Sequence, residues 1–348
     1  MIKIRYKSLV LVMSLIGIIY APSGFAQNKV TIAFQIPLEH HLAKNVLFFK
    51  QELEIESNNS VSVIVNDYGS YIRNMKELED ESFEHQYFSE KNMLEAIRTG
   101  KVNIGMISLS RLSKLIPLAD IFNQPFLIDN EKKVANTVAK DSVVRRSIEN
   151  SLKKMGINTL WWQPYGSVVF VSKGISAHNP ELIKDKKVRV FGETLGNVVL
   201  ASGGVPLAIP NSLQYFAYKH QKVDIGMTTI VDIKDKRIWE VMDTISLTNS
   251  ANMQFLMIAN NRWWNSLSPH LRTLISKISV MAEEKSMEVL KLIEADSFKE
   301  AIENGMKIVL LSSDDRDYWR EKSSPVYKVF LERTGSDGQV AFDSITGY

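Results

Sequence analysis

Six residues occur twice in this chain with a single change, Lys101-Val102-Asn103-Ile104-Gly105-Met106 and Lys222-Val223-Asp224-Ile225-Gly226-Met227. Each copy follows a helix-like stretch, Met93 to Arg98 or Leu213 to Lys219, and each reads as a turn into a short apolar strand that stops at a glycine. Two α/β units therefore end in the same device. Turns from helix to strand reuse Lys, Gly, Asn and Asp, so a short echo also has a trivial source. The remaining segments favour two related lobes.

Met1 to Lys7 carries Lys3, Arg5 and Lys7, and Ser8 to Tyr20 is an apolar run too short to cross a bilayer. This is the pattern of a secretory leader. Gly24-Phe25-Ala26 presents small residues where a signal peptidase reads, which predicts cleavage after Ala26 and a mature start at Gln27. The chain has no cysteine, which removes disulfides, thiolate chemistry and a lipid-bearing cysteine. An exported protein with no anchor stays near its cell only behind an outer membrane, so a periplasmic location is expected. The formal charge of +3 includes the basic leader, and the remainder shows no basic stripe of the kind nucleic acid needs.

Val30 to Phe34 reads as a strand, Leu42 to Glu54 as a helix and Val61 to Val65 as a second strand, a βαβ opening. Tyr68 to Phe88 is acidic and polar, an insertion whose role is solvation or a cover for a cleft. Helices from about Glu131 to Lys154 lead to strands at Asn158 to Trp162 and Val168 to Ser172, separated by Pro164-Tyr165-Gly166. Pro125 in an apolar setting points to a chain crossing. From the N-cap Ser268 a helical pattern continues to Asn304, with Gly305 as its stop. That length implies either a brace across both lobes or a kink. The expected division is residues 27–162 and 251–292 in lobe I, and 163–250 and 293–348 in lobe II.

Catalytic constellations are missing. The six histidines are scattered, without metal-ligand spacing; Glu39-His40-His41 is the one dense cluster, and adjacent side chains there point apart, so no metal is expected. No nucleophile elbow, dinucleotide fingerprint or P-loop occurs, and no cofactor is expected. The arginines carry more. In Lys187 to Phe191, alternation puts Arg189 and Phe191 on one face, and a guanidinium beside an aromatic at a strand end suits a carboxylate. Its other reading is a surface arginine on an edge strand. Arg111, just past the first repeat, is either a cleft residue or a solvated helix start. Trp161, Trp162 and Tyr165 either wall a cleft or fill a core.

In this order the segments resemble the periplasmic solute receptors of tripartite ATP-independent (TRAP) transporters, of the DctP type. The marks are Met93-Leu94-Glu95-Ala96-Ile97 to Gly105, Pro125-Phe126-Leu127, Lys186 to Val190, Gly203-Gly204-Val205-Pro206 leading to Tyr215 and Val223-Asp224, and Trp264-Asn265-Ser266-Leu267-Ser268 before the long helix. The resemblance implies an α/β, two-lobed periplasmic-binding-protein-like fold with a hinge and a long bracing C-terminal helix. It implies a small organic acid held in the inter-lobe cleft and delivered to membrane permease subunits. It places Arg189 as the carboxylate clamp, Arg111 at a polar contact of the first lobe, Gln35 at the end of the first strand, Ser108 where members carry a glutamate and Asn249 at a polar site near the hinge; Tyr165, Phe191 and Thr228 are further expected cleft residues. Two departures stand out: Trp161 to Ser172 holds no second arginine, with Ser167 or Val168 in its place, and Thr228 replaces an asparagine that assists the clamp. The solute is then a less usual acid, a neutral compound or an aromatic one. A sensor subunit presenting solute to a membrane kinase, or a periplasmic hydrolase or lyase, are the competing functions.

Overall fold

The structure is a computed structural model that describes residues 28–34, 36, 38, 40–67 and 90–347. The leader with its Ala26 boundary, Gln35 and the acidic stretch 68–88 lie outside the described residues. Among those described, no helix is long and apolar enough to cross a membrane.

The opening βαβ unit forms from β1 (Asn28–Phe34), α1 (His41–Glu56) and β2 (Val61–Asp67). Leu42, Val46, Phe49 and Leu53 recur at helical spacing on α1, and all are buried against the sheet. Next come α2 (Glu90–Thr99), β3 (Ile104–Ser108), the short α3 (Leu109–Leu112), α4 (Glu131–Val138) and α5 (Val143–Lys154). The repeat strand does not stop at its glycine. Gly105 lies inside β3, where an added Cβ would stand 2.4 Å from Ile97 Cδ1, so the glycine lets α2 press onto the strand.

The two strands expected around Pro164-Tyr165-Gly166 are one 16-residue strand, β4 (Ile157–Ser172). Its register slips between Thr159 and Trp161 and between Pro164 and Gly166, and Gly166 sits at φ +121, a conformation open to glycine alone. These bulges absorb what looks in sequence like a break. Lobe II then builds β5 (Lys187–Val190), α6 (Glu193–Ala201), β6 (Val205–Ala208), α7 (Gln214–Lys219), β7 (Ile225–Thr229), α8 (Ile230–Asp235) and β8 (Thr244–Leu247). The chain returns through β9 (Asn252–Asn260) and α9 (Asn261–Ser266), runs along α10 (Pro269–Glu303), adds β10 (Lys307–Leu310) and ends in α11 (Ser313–Thr346).

The strand order β2-β1-β3-β9-β4-β7-β5-β6 is continuous, with β8 on β4 and β10 on β8. Residues 157–167 of β4 pair with β9, and Val168 to Ser172 pair with β7, with Phe170 to Ser172 also on β8, so one strand passes from the first lobe into the second. Strand alternation feeds a core on each face: in lobe I, Ile104 and Met106 enter one and Ile107 the other. The long helix α10 is unbroken, capped by Ser268, which accepts from the Leu271 amide, and followed by Gly305 at φ +87. It packs on α1 and on α8, and is thus the expected brace. The terminal helix contributes to both hydrophobic cores. Trp319 fills the lobe II core, but Phe330, ahead of the non-helical Gly335, and Ala341, beyond it, belong to the core of lobe I. Pro125 marks a junction between lobes: the Phe126 amide donates to Ser250, and its ring stacks on Trp319 at 5.1 Å.

Candidate functional site

A cavity of about 1130 Å³ lies between the lobes. Two equivalent corners build its walls. At the end of β3, Ser108 caps α3 by accepting the Arg111 amide at 3.2 Å, and at the end of β7, Thr229 caps α8 by accepting the Asp232 amide at 3.3 Å. Arg111 and Lys114 thus reach the cavity from lobe I, and Asp232 and Asp235 from lobe II.

Arg189 is the floor of the lobe II side, only 1% exposed. Alternation on β5 sends it toward the cavity, where β7 offers a glycine, Gly226, in register. Its Nε donates to the Ile209 carbonyl at 3.0 Å and its Nη1 to the Met227 carbonyl at 2.5 Å, while its Nη2 is 3.4 Å from Asn211 Oδ1. The guanidinium lies 4.3 Å from the Phe191 ring centre. Burial lowers its pKa from the ordinary value, partly offset by Tyr218 and Asp232. Among the described residues no carboxylate pairs with it. A buried cation held by carbonyl dipoles and an aromatic face is left short of a counter-charge.

Tyr165 stands at the β4 bulge. Its hydroxyl donates to Asp232 Oδ1 at 3.0 Å, and burial beside that carboxylate raises its pKa well above the usual phenol value. Lys236 Nζ donates to the same Oδ1 at 2.6 Å, and burial lowers its pKa. His40 stacks on Tyr165 with ring centres 5.5 Å apart. Across the cavity, Thr194 Oγ1 of lobe II donates to Asp120 Oδ2 of lobe I at 2.8 Å, and Arg333 reaches the same oxygen at 2.5 Å. Asp120 and Asp232 are therefore neutralised, whereas Arg111, Lys114 and Arg189 form no ion pair among the described residues. With Glu193 and Asp235 also in its lining, the cavity is walled among the described residues by five cationic side chains and four carboxylates, a small positive excess.

The structure brings Arg189, Arg111, Ser108, Tyr165 and Phe191 to one cavity. It does not bring Thr228 or Asn249 there. Thr228 is fully buried behind the wall, accepting from Gln214 Nε2 at 2.7 Å, and Asn249 sits in a left-handed turn at the lobe junction. Gln35 lies outside the described residues. Trp161 and Trp162 are core residues in opposite lobe I clusters. Sequence reasoning missed Asp232, Asp235, Lys236 and Asp120. Extending the repeat five residues beyond Met106 and Met227 would have matched Arg111 with Asp232 and exposed the pair.

A charged cavity between two lobes joined by strands and a long helix is a place where a small solute can be enclosed. Residues 84–334 match the family DctP, bacterial extracellular solute-binding protein, family 7. The chain is 25% identical over 256 residues to the C4-dicarboxylate-binding periplasmic protein DctP of Vibrio cholerae, covering 72% of this chain and 75% of that protein. It is 24% identical over 236 residues to the ectoine-binding periplasmic protein TeaA of Halomonas elongata, covering 66% and 68%. A TRAP periplasmic solute-binding protein of Sulfitobacter with bound β-D-galacturonate superposes with a TM-score of 0.78 at 16% identity, covering 92% of this chain and all of that one. The chain belongs to the DctP family of TRAP-type extracytoplasmic solute receptors, which are not enzymes.

Proposed function

We propose that this receptor closes over a small organic acid whose carboxylate sits on Arg189, and hands it to TRAP permease subunits in the membrane. The observation that carries this reading is the Arg189 guanidinium itself, buried at the cleft, stacked on Phe191 and without a carboxylate among the described residues. Such a group is stabilised by a bound anion more than by any protein contact around it. Arg111, Ser108, Tyr165 and Phe191 are the further contacts, with Arg111 and Lys114 compensating for the missing second arginine on β4. The two-lobe architecture supports closure as a population shift driven by contacts that exist only in the closed state. The names of the relatives span a dicarboxylate and ectoine, and galacturonate is bound in the Sulfitobacter structure, so one fold accommodates acids of different shape. Export is by the leader, with the mature chain starting at Gln27.

Thermal unfolding across a panel of carboxylates, sulfonates, aromatic acids, amines and polyols tests it. A ligand at about 100 times its Kd adds roughly 2.7 kcal/mol to the folded state. A selective rise with organic acids that is lost in Arg189→Ala is the expected result. A rise only with neutral or cationic compounds overturns it.

A further inference from the structure

The start of α1 and the end of α8 meet across the cleft with three metal-ligating side chains, His40 and His41 from lobe I and Asp235 from lobe II. One ligand atom of each lies within 4.8 Å of the other two, and His40 Nε2 is 3.8 Å from Asp235 Oδ2. The two neighbouring rings do not point apart, for a backbone reason. His40 is the extended N-cap residue, at φ −68 and ψ 145, and His41 is the first helical one; the change of conformation between them sets the rings 4.3 Å apart. His41 is only 6% exposed, yet neither of its ring nitrogens has a hydrogen-bond partner among the described residues. Buried polar atoms are seldom left so, and holding a solute on Arg189 gives them no partner.

We propose that His40, His41 and Asp235 form an inter-lobe site for a divalent transition-metal ion of the zinc type. Two imidazoles and a carboxylate are the donors such an ion prefers, whereas magnesium and calcium select all-oxygen sets. A neutral imidazole keeps one ring nitrogen with a free lone pair, which is the donor a metal ion takes. His40 Nδ1 accepts the Leu42 amide over a long 3.3 Å, which puts the ring proton on Nε2. Coordination through Nε2 moves that proton to Nδ1 and gives up the Leu42 contact. Asp232, Lys44, Lys234 and Lys236 stand around the site, Lys236 paired with Asp232 and Lys234 with Glu300. A bound ion adds two positive charges beside the cleft, with a coordination position left for a solute oxygen. Since its ligands come from both lobes, it also favours the closed arrangement.

The test is a titration of untagged, chelator-stripped protein with Zn²⁺ against a chromophoric competitor, with Co²⁺ followed by its visible absorption. One Zn²⁺ per chain is expected, weakened about tenfold or more in His41→Gln and in Asp235→Asn, with the Co²⁺ bands altered in the same variants and no competition from Ca²⁺ or Mg²⁺. Asp235 is partly exposed and its replacement is isosteric, so it reports on the site even where His41→Gln disturbs the packing of α1. No uptake by the wild-type chain, or uptake undiminished in Asp235→Asn, overturns the proposal. None of these readouts involves Arg189 or a solute, so failure here leaves the receptor reading standing.

Discussion

In lobe I, β3 runs parallel to β1 with Gly105 opposite Ala33; in lobe II, β7 runs parallel to β5 with Gly226 opposite Arg189. Around that difference nearly everything else is shared. Asn103 accepts the Thr31 amide and Asp224 accepts the Lys187 amide, each at 2.8 Å, so the one altered residue of the repeat ties its strand to a neighbour in both lobes. Gly105 admits Ile97 and Gly226 admits Tyr218, whose hydroxyl stands 1.9 Å from where a Cβ would be. Ser108 and Thr229 then cap the next short helix. Three and six residues beyond the caps the lobes part again: Arg111 and Lys114 on one side, Asp232 and Asp235 on the other. Positions that satisfy the backbone are interchangeable, and positions that face the cavity carry the differences.

The largest effect is expected where the lobes differ most. Arg189→Ala should weaken binding of the best acid by about 3–5 kcal/mol, at least roughly a hundredfold in Kd by calorimetry. Arg189→Lys should recover only part of this, because a point charge cannot reproduce the fork that also holds Ile209 and Met227. An unchanged Kd in Arg189→Ala removes Arg189 from the site and with it the contrast between Ala33 and Arg189.

Substituting the shared glycines sharpens the comparison. Gly105→Ala and Gly226→Ala each force a side chain off the strand, and overpacking of this kind costs about 1–3 kcal/mol, read as a lower urea midpoint. The two should separate in binding. Tyr218, displaced in Gly226→Ala, lies beside Arg189, so solute affinity falls with stability; Gly105→Ala should leave affinity intact. Equal affinity losses in both would mean that the glycines act through global stability alone.

How far the fold was legible follows the same line. The cap at Ser268 and the stop at Gly305 are local and formed as the sequence implies; the repeat strands formed too, but run on past their glycines. The continuity of β4 was not legible, because Pro164 and Gly166 are turn residues by local chemistry and only the pairing with β9 holds them in a bulged strand. The passage of α11 from one core to the other was not legible either, because Phe330 joins the lobe I core before the non-helical Gly335 and no periodicity marks the change. At the cleft, Arg189 was readable from alternation beside Phe191. Asp232 and Asp235 were not, since their helix is only six residues long and their meaning comes from what faces them. That the His40 and His41 rings lie side by side was not legible, because the backbone changes conformation between them.

The seam between the lobes has its own pH signature. Glu294 of α10 lies against Gly166, and burial, with Glu131 nearby, raises its pKa from 4.5 to about 7. A folded-state pKa above the unfolded one means that its contribution is complete below about pH 4.5 and is lost as pH rises through about 7. Unfolding free energy should therefore fall across that window, by at most about 1.4 kcal/mol per pH unit from this one group. Glu294→Gln should flatten the profile; a slope that persists assigns it to other groups.

The smallest effect tests the equivalence most directly. Asn103 and Asp224 serve through one acceptor oxygen each, and Asn103 Oδ1 also takes the Thr31 hydroxyl at 3.0 Å. Removing the acceptor, in Asn103→Ala or Asp224→Ala, should cost about 1 kcal/mol. Exchanging the residues between lobes, as Asn103→Asp and Asp224→Asn, keeps an oxygen in place and should change the urea midpoint by no more than a surface substitution does, about 0.5 kcal/mol. If the exchange costs as much as alanine, the charge rather than the acceptor is what each lobe needs at that turn. The two copies would then be alike in sequence without doing the same work.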